Sequence, residues 1–510
     1  MLWLTKLVDE AMQRHPDGEV VVSSGVSPSG TYHLGTLREV LTAEAIMREL
    51  KIRGREASHI HMVDDMDVFR KVPKGLPEDY KKYLGKPLCD IPAPDGSDQS
   101  YADYYLAGLI GAATDLRLEM KIVRSHEKYR AGFFVPAIEK ALQNSDQIRT
   151  ILEEVSGRQL DDQYSPIQVI ENGYLKNRQY QSIDLRAKTI VYLDGEGHEQ
   201  TISYAKGDVK LSWRIDWPAR WWLMHVQVEP FGRDHATKGG SYDTGAVIDR
   251  QVFGAEAPLP VPYDFINRTG ETKKMSKSAG DTVTASDLLK ILPPELVWFF
   301  ILRYAPEKQL FFDQGPTLMR LFDEFSELLA KQHKSAADNK LVELCLQGIE
   351  KSTVSRVPFT HLVASYQAAL KDVQTTLDVM RRTEYKTIVD QDEATIRTEL
   401  QFIDAWLQAW APDEVTFSVV TSFDGSSLSD VQKQFLASLA DKIAQASADA
   451  DGEWFHKAVY DLKDTAGLAP KELFATLYQA LIGQDSGPRA GWFLSLLPRD
   501  WLIKRLRLEA

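Results

Sequence analysis

The segment between Val20 and Gly54 constrains the fold of this chain more than any other. EVVVSSGV is short, apolar and rich in β-branched residues, which predicts a buried parallel strand. After the turn SPSG, the run HLGTLREVLTAEAIMRELKI has apolar residues at helical spacing, and Gly54 predicts its end. ASHIHMVDD then predicts a second strand. This β–α–β order predicts a parallel sheet with ligands bound beyond the carboxyl ends of its strands.

The glycine-rich turn between the first strand and the helix is typical of a phosphate-binding loop, because backbone N–H groups and the helix dipole both attract anions. Gly25 and Gly30 allow close backbone approach, Gly35 offers a flat surface for a planar group, and His33 is a donor for a phosphate oxygen. The alternative is a tight connection with a buried histidine. The turn is neither GxGxxG nor GxxxxGK[ST], so a redox enzyme on this core is disfavoured.

Composition bounds the class of protein. A chain of 510 residues predicts about two to four domains. No run approaches the roughly 18 apolar residues of a membrane span, and the N-terminus lacks the pattern of a signal peptide. Two cysteines, Cys89 and Cys345, exclude a disulfide framework and a four-thiolate metal site. We therefore expect a cytoplasmic protein without a membrane partner, whose net charge of −13 leaves room only for a local basic face toward nucleic acid.

A second motif, NRTGETKKMSKSAGDTV, interleaves Lys273, Lys274 and Lys277 with serine and glycine. Such a loop suits a mobile clamp whose lysines neutralise charge on a departing pyrophosphate. The alternative is a solvated surface loop.

HLGT and KMSKS together resemble the two signature sequences of class I aminoacyl-tRNA synthetases. The second is a verbatim match, whereas Thr36 stands where many members have a second histidine. Further segments resemble the class I lysyl-tRNA synthetases, known best from archaea and some bacteria: VDDMDVFRKVP, YLGKPLCDIPAPDG, KLSWRIDWPARW, FGRDHATKGGSYD and PKELFATLYQALIGQDSGPRAGWF. The resemblance therefore spans nearly the whole chain.

The resemblance implies a two-step reaction. The carboxylate of L-lysine attacks the α-phosphate of ATP to give lysyl-adenylate and pyrophosphate, and the terminal ribose of tRNA(Lys) then accepts the lysyl group. Positioning and charge neutralisation supply most of such catalysis. Mg²⁺ is expected to bridge the phosphates of ATP, held largely by substrate and water. We expect the enzyme to be a monomer.

The resemblance also assigns residues to the two substrates. Catalysis falls to His33 on a phosphate and to Lys274 and Lys277 on the pyrophosphate. The ATP-binding set is Ser29, Gly30, His33, Gly35, Lys274, Ser276 and Lys277. The lysine-binding set is Gly25, Ser27, Glu39, Asp64, Trp213, Trp217, His235 and Tyr263. Each ammonium group of lysine needs an anionic or aromatic partner. Which of the two tryptophans contacts the substrate stays open. Asp65 adjoins Asp64 at the end of the second predicted strand.

One segment departs from the family. Many relatives carry cysteine pairs of a zinc ribbon before KLSWRIDW, whereas YSPIQVIENGY and VYLDGEGHEQTIS hold no cysteine. We expect the hairpins to persist around Gly195 and Gly197 without structural zinc, and His198 to be structural. No metal ligand is assigned.

The expected fold class is α/β: a Rossmann-like parallel-sheet catalytic domain with an insertion, then an all-α C-terminal helix bundle. The expected catalytic domain spans residues 1–270 and contains the degenerate zinc-ribbon-like insertion at about 152–212. Residues 271–330 are expected to form the KMSKS loop and the contacts with the tRNA stem. Residues 331–510 are expected to form a helical anticodon-binding cage. Basic candidates for contact with tRNA are Lys273–Lys277 and, in the tail, Arg499, Lys504, Arg505 and Arg507.

Two other functions fit part of the pattern. A glutamate-specific class I synthetase shares the helical-cage plan, but its substrate would need arginine where this chain has DDMD. A non-catalytic paralogue that binds tRNA or a nucleotide would typically have lost a signature or the anticodon module, and both are present here.

Overall fold

A computed structural model describes residues 2–161, 164–270, 284–346, 348–420, 422–447 and 450–509. The chain divides into two units. The first contains residues 1–289, 297–312 and 339–347, and the second contains residues 290–296, 313–338 and 348–510. No helix in these ranges is long and apolar enough to cross a membrane.

The strands, in chain order, are β1 (Val20–Val26), β2 (Ala57–Val63), β3 (Lys121–Arg124), β4 (Ile167–Glu171), β5 (Tyr174–Asn177), β6 (Tyr180–Asp184), β7 (Thr189–Leu193), β8 (Glu199–Ser203), β9 (Val209–Leu211), β10 (Val226–Gly232), β11 (Leu259–Tyr263), β12 (Ile266–Arg268) and β13 (Leu310–Phe312).

The helices, in chain order, are α1 (Leu2–Arg14), α2 (Leu34–Ile52), α3 (Tyr101–Asp115), α4 (Ser125–Arg130), α5 (Val135–Gln143), α6 (Ser145–Ser156), α7 (Trp213–Met224), α8 (Ser241–Ile248), α9 (Ala285–Ile291), α10 (Pro294–Leu302), α11 (Pro316–Ala330), α12 (Ala336–Leu346), α13 (Phe359–Ala368), α14 (Val373–Met380), α15 (Lys386–Ala409), α16 (Asp430–Ala444), α17 (Gly452–Asp461), α18 (Lys463–Ala466), α19 (Pro470–Ile482), α20 (Ala490–Leu496) and α21 (Arg499–Leu506).

The central sheet of the first unit is parallel, in the order β11-β10-β1-β2-β3. Val22 on β1 pairs with His59 on β2 and with Val228 on β10. Both flanking strands of β1 thus end at the same edge as the glycine-rich turn. The predicted β1–α2–β2 unit is confirmed, and α2 ends where expected, with Gly54 in the left-handed region at φ +78°.

The insertion between α6 and α7 forms two antiparallel sheets of three strands each, β5-β4-β9 and β6-β7-β8. The turn between β7 and β8 is tied by Asp194, whose Oδ1 accepts the backbone N–H groups of Glu196 at 2.9 Å and His198 at 3.0 Å. Gly197 takes a φ of +87° in this turn. The hairpins expected here do form, and His198 is an exposed side chain beside the acids of the turn.

In the described residues after β13 the regular elements are all helices, as predicted. The segment FTHLVASYQAALKDVQTTLDVMRR forms two helices, although its apolar spacing runs on without a glycine or proline. It breaks between α13 and α14, where Leu370 and Lys371 take φ values of +54° and +64°. Asp372 then caps α14 by accepting the N–H of Thr375 at 2.7 Å.

Three buried or half-buried acids of the second unit hold the connection between α12 and α13. Glu295 accepts the Thr353 N–H at 2.7 Å, Asp323 accepts the Phe359 N–H at 2.7 Å, and Glu399 accepts the Ser355 N–H at 2.7 Å. Burial raises the pKa of Glu399 to about 8, and the neighbouring acids Glu295 and Asp323 raise it further. The connection is therefore fixed through its backbone.

The expected role of Arg505 in binding tRNA is wrong. Its side chain is fully buried, and its guanidinium donates to the backbone carbonyls of Val420 at 2.8 Å and Ala480 at 3.3 Å. Arg505 therefore stabilises the packing of α21. Lys504, by contrast, has its side chain at the surface of that helix.

Candidate active site

A cleft of about 1010 Å³ opens at the carboxyl ends of β1, β2, β10 and β11. It is where the predicted topology places a ligand. The predicted residues that line it are Gly25, Ser27, Ser29, His33, Gly35, Glu39, Asp64, Trp213, Trp217, His235 and Tyr263. Gly30 is buried and does not line the cleft. Lys274, Ser276 and Lys277 lie outside the described residues.

The Glu39 carboxylate is oriented by two protein donors. The backbone N–H of Gly25 donates to Oε1 at 2.7 Å, and the Tyr263 hydroxyl donates to Oε2 at 2.6 Å. Burial raises the pKa of Tyr263 well above its usual value, and the Glu39 charge raises it further, so the phenol stays a donor. A Cβ at Gly25 would come within 3.2 Å of Met62, which explains the glycine at this crowded point. Three elements therefore hold one carboxylate at the cleft wall.

His33 caps α2 with its ring. Its Nδ1 accepts the Gly35 N–H at 3.0 Å, so the neutral imidazole carries its proton on Nε2. A Cβ at Gly35 would lie 2.8 Å from His33 Cε1, so only glycine lets the ring approach the helix terminus in this way. A ring held thus presents a donor beside a helix N-terminus, the arrangement that binds phosphate.

Glu229 of β10 is a cleft residue that the sequence analysis missed. Its carboxylate is buried and accepts hydrogen bonds from the indole N–H groups of Trp217 and Trp221, the former at 3.2 Å. The Ser23 hydroxyl donates to the same carboxylate at 3.4 Å. Burial raises its pKa to about 7, although these hydrogen bonds and the charge of Arg220 act in the opposite direction. An acid inside the apolar run VQVEPFG was the available signal.

The aromatic wall of the cleft centres on Trp217. Its ring centroid lies 5.4 Å from that of Trp213, 5.5 Å from that of His235 and 5.3 Å from that of Phe231. Trp213 lies 5.2 Å from His235. Electron-rich rings beside carboxylates favour an alkyl ammonium ligand, which gains both cation–π and charge-assisted contacts. Both tryptophans line the cleft, so its geometry does not single out one of them as the substrate contact.

Asp64 already has a cationic partner. Arg220 of α7 donates from one terminal nitrogen to Asp64 and to Asp216. Burial raises the pKa of Asp64, while the guanidinium of Arg220 lowers it. The same guanidinium is neutralised by two carboxylates, which leaves it little positive charge to offer a ligand.

Asp65 is engaged away from the cleft. Its carboxylate accepts Arg124 Nε at 2.6 Å, and it contacts His126 through the backbone N–H at 2.8 Å and through Nδ1 at 2.6 Å. These contacts lower its pKa against the effect of burial. Asp65 thus ties β2 to the start of α4. Across the described ranges, the histidine, cysteine and acidic side chains form no group of three or more that could hold a metal ion.

The family follows from comparison with known proteins. The profile described as "tRNA synthetases class I (K)" matches residues 1–347, and that of an anticodon binding domain matches residues 396–509. The chain belongs to the class I tRNA synthetases of this (K) family. It is therefore an aminoacyl-tRNA synthetase, with ATP, an amino acid and tRNA as its substrates. The resemblance stated from the sequence is confirmed, and so is the fold class.

The curated relatives agree along their full length. Lysine–tRNA ligase 1 of Methanosarcina acetivorans is 37% identical, with 99% of this chain and 98% of the relative covered. The lysine–tRNA ligase of Archaeoglobus fulgidus is 34% identical, with 99% of both covered. Among solved structures, a glutamate tRNA ligase from Elizabethkingia meningosepticum aligns over 96% of this chain and 98% of its own, with a TM-score of 0.41 and 14% identity.

Proposed function

We propose that this protein is a lysine–tRNA ligase, which activates L-lysine with ATP to lysyl-adenylate and transfers the lysyl group to tRNA(Lys). The observation that carries the proposal is the full-length similarity, at 34–37% identity, to proteins named lysine–tRNA ligases. The chemistry of the cleft supports it independently, because its acids and aromatic rings suit a substrate with two ammonium groups.

Glu39 is the proposed partner for one ammonium group of lysine. Its two oxygens accept the Gly25 N–H at 2.7 Å and the Tyr263 hydroxyl at 2.6 Å, which fixes this negative charge at the wall of the cleft. Trp213, Trp217 and His235 are proposed to flank the alkyl chain. Asp64 is a weaker candidate than expected, because it already pairs with Arg220.

A glutamate substrate fits this cleft poorly. Its side-chain carboxylate would need a cation beside these acids, whereas the buried Arg220 is already shared by Asp64 and Asp216. Glu39 and Glu229 would in addition repel an acidic side chain.

ATP is proposed to bind at the glycine-rich turn, with the His33 Nε2–H on a phosphate oxygen and Gly35 below the adenine. Lys274 and Lys277 are proposed to neutralise the pyrophosphate as it leaves, and Ser29, Gly30 and Ser276 to complete the site. Mg²⁺, which prefers phosphate and water oxygens, would add charge neutralisation at the phosphates. The nucleophile needs no base, because the lysine carboxylate is already ionised.

The remaining expectations stay proposals for this chain. These are a monomeric enzyme, a cytoplasmic location where ribosomes use charged tRNA, and the division of the chain at about residues 270 and 330.

The test is aminoacylation of total tRNA with labelled lysine and, in parallel, labelled glutamate. We expect lysine alone to be charged, and Lys277→Ala to lose most of the rate of lysine-dependent pyrophosphate exchange while it keeps its KM for lysine. Lys290→Ala, which removes a lysine from α9, is the matched control. Charging with glutamate would overturn the assignment of the substrate, and charging with neither would indicate a silent paralogue.

A further inference from the structure

Four polar side chains form a buried hydrogen-bonded network between β1, β2 and α2, behind the wall of the cleft. The Ser24 hydroxyl on β1 lies 2.8 Å from His59 Nε2 and 2.7 Å from His61 Nδ1, both on β2. His59 Nδ1 in turn lies 2.8 Å from a carboxylate oxygen of Glu44 on α2. All four side chains are buried. We call them the histidine network.

The order serine, histidine, carboxylate is also that of the nucleophilic triad of hydrolases. A nucleophile must meet its substrate, whereas Ser24 is 0% exposed and neither Ser24 nor His59 lines the cleft. The network therefore acts on the cleft through the backbone and not by contact with a ligand.

Proton counting fixes the direction of the hydrogen bonds in the network. Burial opposes ionisation of Glu44, but its hydrogen bonds, above all that from His59, lower its pKa below the usual value, so the carboxylate only accepts. His59 thus donates from Nδ1, and its neutral ring accepts the Ser24 proton at Nε2. Because the hydroxyl has one proton, His61 Nδ1 donates to the Ser24 oxygen. The bonds run in one direction, from His61 to Glu44.

The network is anchored on α2 and ends beside the proposed ammonium site. Glu44 also accepts Arg48 Nε at 3.0 Å, which fixes its carboxylate on the helix. At the other end, the peptide group that follows Ser24 supplies the Gly25 N–H, which donates to Glu39 at 2.7 Å. A Ser24 side chain held from behind therefore fixes the N–H group that orients the Glu39 carboxylate.

We propose that Ser24, His59 and Glu44 are positioning residues for the amino-acid substrate, because they hold the end of β1 where the Gly25 N–H orients Glu39 toward the substrate ammonium. The inference rests on the proposed function and deepens it. The same helix bears Glu39 and Glu44, so a displacement of β1 against α2 strains both contacts. None of the three positioning residues touches lysine itself.

The experiment measures lysine-dependent pyrophosphate exchange by the full-length enzyme and by two variants, Ser24→Ala and Ser24→Cys. Alanine removes the hydroxyl, whereas cysteine keeps a group of similar size that is a weak donor and acceptor. Thr42→Val is the matched control on α2, because it also removes a buried hydroxyl, one that donates to the Arg38 carbonyl of the same helix at 2.6 Å. The Tm of each variant reports its loss of stability.

We expect Ser24→Ala to raise the KM for lysine about tenfold, the factor that corresponds to one hydrogen bond. The KM for ATP should stay unchanged, because Tyr101 holds the glycine-rich turn separately by donating to the Ser29 carbonyl at 3.1 Å. Ser24→Cys should lie between the wild type and Ser24→Ala, and it decides the test alone if Ser24→Ala does not fold. Thr42→Val should lower the Tm and keep the wild-type KM for lysine.

A wild-type KM for lysine in the Ser24 variants would overturn the inference, and so would an equal rise in Thr42→Val, which would indicate a general loss of stability. A double-mutant cycle tests the route. Adding Ser24→Ala to Glu39→Gln should raise the KM for lysine no further, and factors that multiply would contradict a route through Glu39. A wild-type enzyme without lysine-dependent exchange would instead overturn the proposed function, and this inference with it.

Discussion

At the scale of single residues, the Glu39 carboxylate carries the first prediction. Glu39→Gln keeps an oxygen for the Gly25 N–H but removes the charge proposed to bind a substrate ammonium. Breaking one partner of a buried charge pair costs about 3–5 kcal/mol, so we expect the KM for lysine in pyrophosphate exchange to rise at least about 100-fold. The KM for ATP should change little.

Glu78→Gln is the matched control for this substitution, because it removes an acid from an exposed position in the same unit. An unchanged KM for lysine in Glu39→Gln would move the ammonium site to another carboxylate of the cleft.

The Glu229 carboxylate gives a pH-dependent prediction. Its pKa is raised to about 7, so the folded enzyme holds this proton more tightly than the unfolded chain does, and the carboxyl group ionises only as pH rises through 7. A bound ammonium favours the ionised form. We therefore expect the KM for lysine to fall as pH rises from 6 to 8, and Glu229→Gln to abolish that slope. A variant with the wild-type slope would assign the titration to another group.

At the scale of elements, Glu399 on α15 links the stability of the second unit to pH. Its raised pKa, about 8, means that its contribution to stability is complete below the ordinary value for glutamate and is lost as pH rises through 8. Glu399→Gln keeps an acceptor for the Ser355 N–H and has no proton to lose. We expect its Tm to stay level between pH 7 and 9, while that of the wild-type protein falls.

Glu384→Gln, at an exposed position before α15, should follow the wild-type Tm over the same range. A parallel fall of the Tm in Glu399→Gln would contradict the assignment.

Elements defined by short-range patterns were predictable from the sequence. The unit β1–α2–β2 is one, because apolar periodicity and Gly54 specify it within a single stretch. The break at Leu370 and Lys371 was not, because neither residue is glycine or proline, the residues that usually announce a positive φ or a break.

The same limit explains the errors at single residues. Glu229 depends on Ser23, 206 positions away, and on two tryptophans of α7. Arg505 stands in a basic tail, the usual sign of exposure, yet its acceptor at Val420 lies 85 positions earlier. Partners so distant leave no trace in a local pattern.

At the scale of the whole molecule, an acidic protein is proposed to bind a polyanion through few contacts. Each lost phosphate contact lowers the slope of log affinity against log salt by about 0.7–0.9. We expect Lys504→Gln, at an exposed position of the basic tail, to lower the salt slope of kcat/KM for tRNA by about that amount, with pyrophosphate exchange unaffected. Lys188→Gln, in the turn between β6 and β7, is the control. An unaltered slope would remove Lys504 from the tRNA interface.

The central position of β1 between β2 and β10 has a consequence for biosynthesis. Its contact with β2 is available almost as soon as both leave the ribosome, but Ser23 must await Glu229, 206 positions later. At about 5–20 residues per second this interval lasts roughly 10–40 s. Until then one edge of β1 is unpaired, and the cleft lacks a wall. A nascent chain of this enzyme thus passes through a period in which neither substrate is able to protect it, and in which a chaperone would find an open strand to cover.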